Sequence, residues 1–145
     1  MNSDVRPVPR RGVYEAPFWE HVGRRAVHLQ VCTDCGHTWY PPGPACPRCL
    51  STRWTWAPIA GDGELLSWVT FHRQYFPTIP PPHTVAAVAL DEGPILIADV
   101  PSGSDGLSIG ARMRLCYRAA EAEDGDPFTL YGWERDPTMT GASTG

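Results

Sequence analysis

The stretch Val31–Leu50 reads VCTDCGHTWYPPGPACPRCL and holds four of the chain's five cysteines, in two CxxC pairs. Cys32 and Cys35 form one hook, and Cys46 and Cys49 the other. A CxxC turn aims two thiolates at one point, and two hooks complete the tetrahedral sulfur site that structural zinc prefers. Gly36 follows the first hook, where the turn needs freedom from a β-carbon. Pro47 stiffens the second. Arg48 and Arg53 lie close enough in sequence to offset the negative charge of four thiolates. Four protein ligands leave no position for water or substrate, so the expected role is a brace rather than a catalyst. Iron in the same sulfur set would instead carry an electron. A pair of disulfides is the remaining alternative, one that a reducing compartment disfavours.

Around this knot the sequence has 145 residues, 42% of them hydrophobic, and no lysine: all twelve basic side chains are arginine. Gly (14) and Pro (16) are abundant, which favours a loop-rich, strand-rich fold. Charge is uneven. The part up to Ala57 is basic and the part from Pro58 onward is acidic, against an overall formal charge of -4. An acidic second half lacks the footprint of non-specific nucleic-acid binding. The start, MNSDVRPVPRRGVYE, lacks the apolar core of a signal peptide, and the longest apolar run, Val85–Leu90, is far too short to cross a bilayer. A cytoplasmic protein without membrane insertion is expected.

The periodicity suggests four regions: a tail and short helical segment over 1–30, a zinc ribbon over 31–57, a barrel over 58–133 and a flexible tail over 134–145. The helical segment, Tyr14–Gln30, places Phe18, Trp19, Val22, Ala26 and Leu29 on one broad face. Phe18 and Trp19 either pack within the chain or dock on a partner. After the ribbon come five strands: Glu64–Arg73, Thr84–Leu90, Pro94–Val100, Arg112–Ala119 and Phe128–Trp133. DEG marks a tight hairpin between the second and third. Five short strands without a long helix suggest an OB-fold, a partly open five-stranded barrel. The class is therefore mainly β. Strand Val85–Leu90 is apolar on both faces, so both are expected to be covered, by the ribbon or by another chain.

No GxSxG elbow, phosphate-binding glycine loop or HExxH motif is present. Cys116 shares a strand face with Arg112, Arg114 and Arg118. That face is either a half-buried thiol among solvated arginines or a grip for phosphate. His72 and His83 flank a loop with two aromatics, four prolines and Arg73. Such a rim loop suits binding: Trp68, Tyr75 and Phe76 could stack on a planar ring and Arg73 could meet a phosphate. A stiff cap over the barrel end is the alternative.

The order of these pieces resembles one family. PFW is followed by CTDCGHTWYPPGPACPRC, then GDGELLSWVTFHR, PPHTVAAVALDEGPILIADV, IGARMRL and a late Phe. From about Ala16 to Trp133 the chain is similar to the acyl-CoA-associated proteins with a rubredoxin-like zinc ribbon and an OB-fold, the domain of unknown function 35 family. YPP between the hooks and LDEG after the ribbon are the more telling motifs. Leu50 departs from the glycine that often follows the last cysteine. The resemblance implies an accessory subunit of thiolases and lipid-transfer-protein-like aldolases that helps hold a coenzyme A thioester. The partner supplies the catalytic residues, and the assembly is a heterotetramer. Cys32, Cys35, Cys46 and Cys49 carry over as zinc ligands. The coenzyme A contacts carry over only as a region, where His72, Arg73 and Tyr75 are the candidates. The acyl group, steroid, aromatic or short, stays open. The rival expectations are a single-stranded nucleic-acid binder and an iron-containing redox protein.

Overall fold

The computed structural model describes residues 4–9 and 11–136. The chain runs β1 (Asp4–Val5), α1 (Glu15–Gly23), β2 (His28–Cys32), β3 (Thr38–Trp39), β4 (Trp54–Pro58), β5 (Asp62–Phe71), β6 (His83–Leu90), β7 (Ile95–Asp99), β8 (Arg112–Glu121) and β9 (Pro127–Arg135). Strands β3, β2 and β4 form a small antiparallel sheet that carries the cysteine hooks. The larger sheet has the order β1-β8-β5-β6-β7, with β9 on β8.

The five strands β5 to β9 make the expected OB-fold, with β5 paired to both β6 and β8. Gly63 sits where β5 crosses close to β6. A Cβ there would lie 2.4 Å from the Ala89 carbonyl oxygen, so only glycine fits. The barrel closes where β9 meets β7. Trp133 Nε1 donates to the Leu96 carbonyl at 3.1 Å, and a Cβ at Gly132 would come 2.9 Å from the Asp99 carbonyl. Arg118 reaches over this seam to Asp99 with both guanidinium nitrogens, and Arg6 approaches the same carboxylate at 3.4 Å.

Alternation puts Leu65, Ala86, Val88, Leu90, Leu96, Met113 and Trp133 inside the barrel. The same core takes Phe18 and Val22 from α1 and Val27 and Leu29 from the approach to the ribbon. The helix and the ribbon sheet are thereby fastened to the barrel.

Several boundaries differ from the sequence reading. The helix stops at Gly23 rather than running to Gln30; Arg24 caps it, Arg25 adopts a φ of 59°, and the chain turns into β2. The ribbon sheet thus begins at His28. Strand β1 lies in the stretch expected to be loose, parallel to Ala120–Glu121 on β8. Strand β9 extends through Glu134 and Arg135, because the ladder with Arg114 and Met113 continues and Arg114 pairs with Glu134 at 2.7 Å. The flexible tail therefore cannot begin at 134, and residues 137–145 lie outside the described residues.

Phe18 is 1% exposed, packed against Trp19, Tyr40 and Tyr131. Its own chain consumes this ring, so of the two expectations for Phe18 packing within the chain holds and docking on a partner does not. Trp19 is half-buried against the same core. Trp68 is also packed on the barrel core, paired with inward-facing Ala86, and does not offer a stacking face.

Candidate functional site

The four cysteines of the hooks converge. Their sulfur atoms all lie within 4.8 Å of one another, with Cys32 and Cys49 at 3.6 Å and Cys35 and Cys46 at 3.7 Å. Tetrahedral zinc with bonds of about 2.3 Å requires sulfur separations of about 3.8 Å, so the set fits the ion. Backbone N–H groups of Cys35 and Arg48 point to the Cys32 and Cys46 sulfurs, each at 3.4 Å, as negative thiolates need.

The thiols titrate unequally. Burial raises Cys32, but amides of Cys35 and Asp34 and the Cys49 thiol outweigh it and bring it to about 7. The Ser51 amide favours ionised Cys49, yet the Cys32 sulfur, burial and the other thiols push it up to about 12. Crowded sulfurs resist losing all their protons, and a divalent cation removes that resistance. Cys32 and Cys46 are buried beside Trp39 and Trp54, while Cys35 and Cys49 reach the surface.

Each hook ends in a left-handed residue, Gly36 at φ 80° and Leu50 at φ 66°. Leu50 thus occupies a conformation that glycine adopts without strain. Arg53, expected to offset thiolate charge, grips Asp34 through Nε and Nη2 at 3.2 and 2.9 Å and also interacts with the charge of Cys32.

Cys116 is half-buried on β8. Burial, then Glu134, pushes its thiol up against the pull of Arg118 and Arg114. The three arginines on its face are engaged: Arg112 with Asp91, Arg114 with Glu134 and Arg118 with Asp99. The register of β8 against β9, and the turns that bring Asp91 and Asp99 near, supply these carboxylates.

The rim loop forms a small apolar cleft lined by Phe71, Arg73, Tyr75, Phe76, Ile79 and His83, about 170 Å³ in volume. Arg73 lies 5.7 Å from the Tyr75 ring centroid, a cation–π contact. Of the three sequence candidates, Arg73 and Tyr75 share this cleft; His72 is exposed and does not line it. His83 was passed over as a flanking residue. It stacks on Phe71, and its Nε2 lies 3.7 Å from Asp99 Oδ2.

From this cleft the outward side of the sheet continues through Val69, Val85, Ala87, Ala89, Ile95 and Ile97. Val69 is 54% exposed and Ile97 61%. The expectation that β6 would be covered on both faces is met on the inner face, while Val85, Ala87 and Ala89 on the outer face are only half-buried. A contiguous exposed apolar face of this kind marks an interaction surface.

Comparison with known proteins identifies both parts. Residues 19–55 match the rubredoxin-like zinc ribbon domain of ChsH2, and residues 56–118 match its C-terminal OB-fold domain. A solved structure described as an Ltp2-ChsH2(DUF35) aldolase superposes with a TM-score of 0.75 at 30% identity, over 90% of this chain and 98% of that one. A DUF35 domain-containing scaffold protein of Pyrococcus furiosus is 24% identical over 84% of this chain and 91% of its own length. A probable enoyl-CoA hydratase alpha subunit of Thermomonospora curvata is 32% identical over 82% of this chain. The chain spans only 38% of that subunit. A zinc ribbon with four converging cysteines, followed by an OB-fold and matched across nearly all of a solved relative, places this chain in the ChsH2-type DUF35 family.

Proposed function

We propose that the chain is a non-catalytic, zinc-binding subunit that docks on a thiolase-like enzyme, a thiolase or a lipid-transfer-protein-like aldolase, and helps bind its acyl-CoA substrate. The observation that carries this reading is the uncovered apolar face of β5, β6 and β7, which a lone chain would expose to water. The relative named for an aldolase pair, alike over nearly its whole chain, supports the kind of partner. Two copies of each chain would form a heterotetramer. Cys32, Cys35, Cys46 and Cys49 hold a structural zinc ion that keeps the ribbon folded and takes no part in chemistry. Arg73 and Tyr75 contact the acyl-CoA from the rim loop, with His72 at its exposed margin. The apolar cleft beside them, with Phe71 and His83, receives the acyl group. Trp19 remains a proposed docking residue at the helix. The raised Cys116 thiol supports a non-catalytic role.

The hydratase relative favours a second reading, in which the partner is an enoyl-CoA hydratase chain. Affinity purification from native lysate, followed by mass spectrometry, separates the two. A thiolase-fold chain recovered in equal amount supports the first, and a hydratase chain the second. Replacing both Val69 and Ile97 with Asp is expected to abolish the recovery while the protein keeps its melting temperature. Undiminished recovery by that variant would exclude the sheet face as the dock.

A further inference from the structure

The two hooks present their sulfurs unequally. Cys32 is 1% exposed and Cys46 is fully buried, and both pack with Trp39 and Trp54. Each of these inner sulfurs also accepts a backbone N–H at 3.4 Å. Cys35 and Cys49 are exposed. The site therefore shows solvent one sulfur from each hook, the second in each case. Cys49 lines a shallow surface hollow with Asp34, Leu50, Ser51, Thr52 and Arg53, so a small solute reaches it. A reachable thiolate is a nucleophile, whereas a buried one is inert. The two outer sulfurs lie within 4.8 Å of each other. A disulfide needs about 2.05 Å, while four sulfurs on one zinc ion stand about 3.8 Å apart. A bond between any two of them is incompatible with the metal they share. Leu50, next to Cys49, holds a left-handed φ of 66°. A side chain is strained there, and opening of the second hook relieves it.

We propose that Cys35 and Cys49 are a peroxide-sensitive pair that closes to a disulfide and discharges the ribbon's zinc ion. The Cys49 thiolate attacks one peroxide oxygen; the S–O bond forms, the O–O bond breaks and hydroxide leaves. The Cys35 thiolate then attacks the Cys49 sulfur; the S–S bond forms, the S–O bond breaks and a second hydroxide leaves. Two protons from solvent turn both hydroxides into water. The two thiolates lose two electrons and hydrogen peroxide gains them. Cys32 and Cys46 alone do not complete a tetrahedral site, so the ribbon loses its brace. Val27 and Leu29, which lead into the ribbon, belong to the barrel core, so the loss reaches the barrel. A dithiol reductant reverses the bond and restores the ligand set. This switch rests on the structural-zinc reading above and adds a redox-dependent state to that site.

The test treats the zinc-loaded full chain with hydrogen peroxide and follows released zinc with a chromophoric chelator, against an untreated sample. One zinc ion is expected to leave for each peroxide consumed, with a fall in melting temperature of about 10 °C. Peptide mapping locates the bond. Cleavage after Arg48 separates Cys49 from Cys32, Cys35 and Cys46. A bond joining Cys35 to Cys49 then links two peptides, and fragmentation assigns its ends. Dithiothreitol with added zinc should return the melting temperature to its starting value. Cys116→Ser should release zinc as wild type does. Zinc retained through a large excess of peroxide overturns the proposal. So does a bond that includes Cys32 or Cys46, or a Cys116→Ser variant that no longer loses zinc. Metal analysis before treatment keeps the failures apart. A chain that carries no zinc overturns the structural-zinc reading and the switch together, whereas zinc that stays bound under peroxide overturns the switch alone.

Discussion

Cys46→Ser is expected to release the bound metal and unfold the ribbon. Cys46 is fully buried, and the ribbon core consists of Cys32, Cys46 and Trp39 with Trp54 packed beside them. That is too little apolar surface to hold a fold unaided. Structural zinc contributes about 10–16 kcal/mol in comparable peptides, so the metal accounts for nearly all of the ribbon's stability. The damage reaches the barrel, because Val27 and Leu29 from the ribbon approach belong to its core. A loss of about 3 kcal/mol from the barrel lowers its melting temperature by about 10 °C. Metal analysis should find one zinc per chain in wild type and almost none in the variant, and chelation should reproduce the melt. Cys116→Ser, which removes a thiol outside the cluster, should retain the metal. Iron in place of zinc would show as a red protein and would reopen the redox alternative.

Trp133→Ala is expected to open the barrel. Trp133 is completely buried, and its indole N–H links β9 to the Leu96 carbonyl on β7 across the closing seam. Truncating a buried tryptophan costs about 3–5 kcal/mol, and a carbonyl left buried without a donor adds about 1–3 kcal/mol. Against a typical stability of about 5–15 kcal/mol, this leaves much of the population unfolded. Trp133→Phe keeps most of the apolar area and loses chiefly the hydrogen bond, which leaves the Leu96 carbonyl without its donor and costs about 1–3 kcal/mol. Urea denaturation should rank wild type above Trp133→Phe and Trp133→Ala far below both. Equal midpoints for the two variants would mean that the hydrogen bond, not the packing, closes the barrel.

The metal set was legible because CxxC hooks are local: spacing alone aims the thiols, and the structure brings all four together. The barrel strands were legible for the same reason, through the apolar run of β6, the alternation of β8 and the DEG turn. What sequence could not show depends on which strands meet. Arg112, Arg114 and Arg118 looked like a row of open cations, yet each finds a carboxylate supplied by the fold at a distance of 19 to 21 residues. The choice between packing and docking for Phe18 stayed open in the sequence, which does not reveal that Tyr40 and Tyr131 pack against it. Trp39 and Glu92 lie far apart in the chain and share a cleft only because the ribbon docks on the hairpin. The double apolar pattern of β6 led to the expectation of a cover on both faces; the chain itself buries only one.

These features support the proposed role of an accessory subunit. The four cysteine sulfurs converge, burial raises the thiol on β8, and Val69, Ile95 and Ile97 are exposed together on one sheet face. No described helix is long and apolar enough to cross a membrane.

The most direct test is to measure acyl-CoA affinity and turnover for the chain alone, for its co-purified partner alone, and for the reconstituted pair. The account predicts no turnover by the chain, and a pair that binds acyl-CoA more tightly than the partner does by itself. Turnover by the isolated chain, or a pair no different from the partner alone, would contradict it.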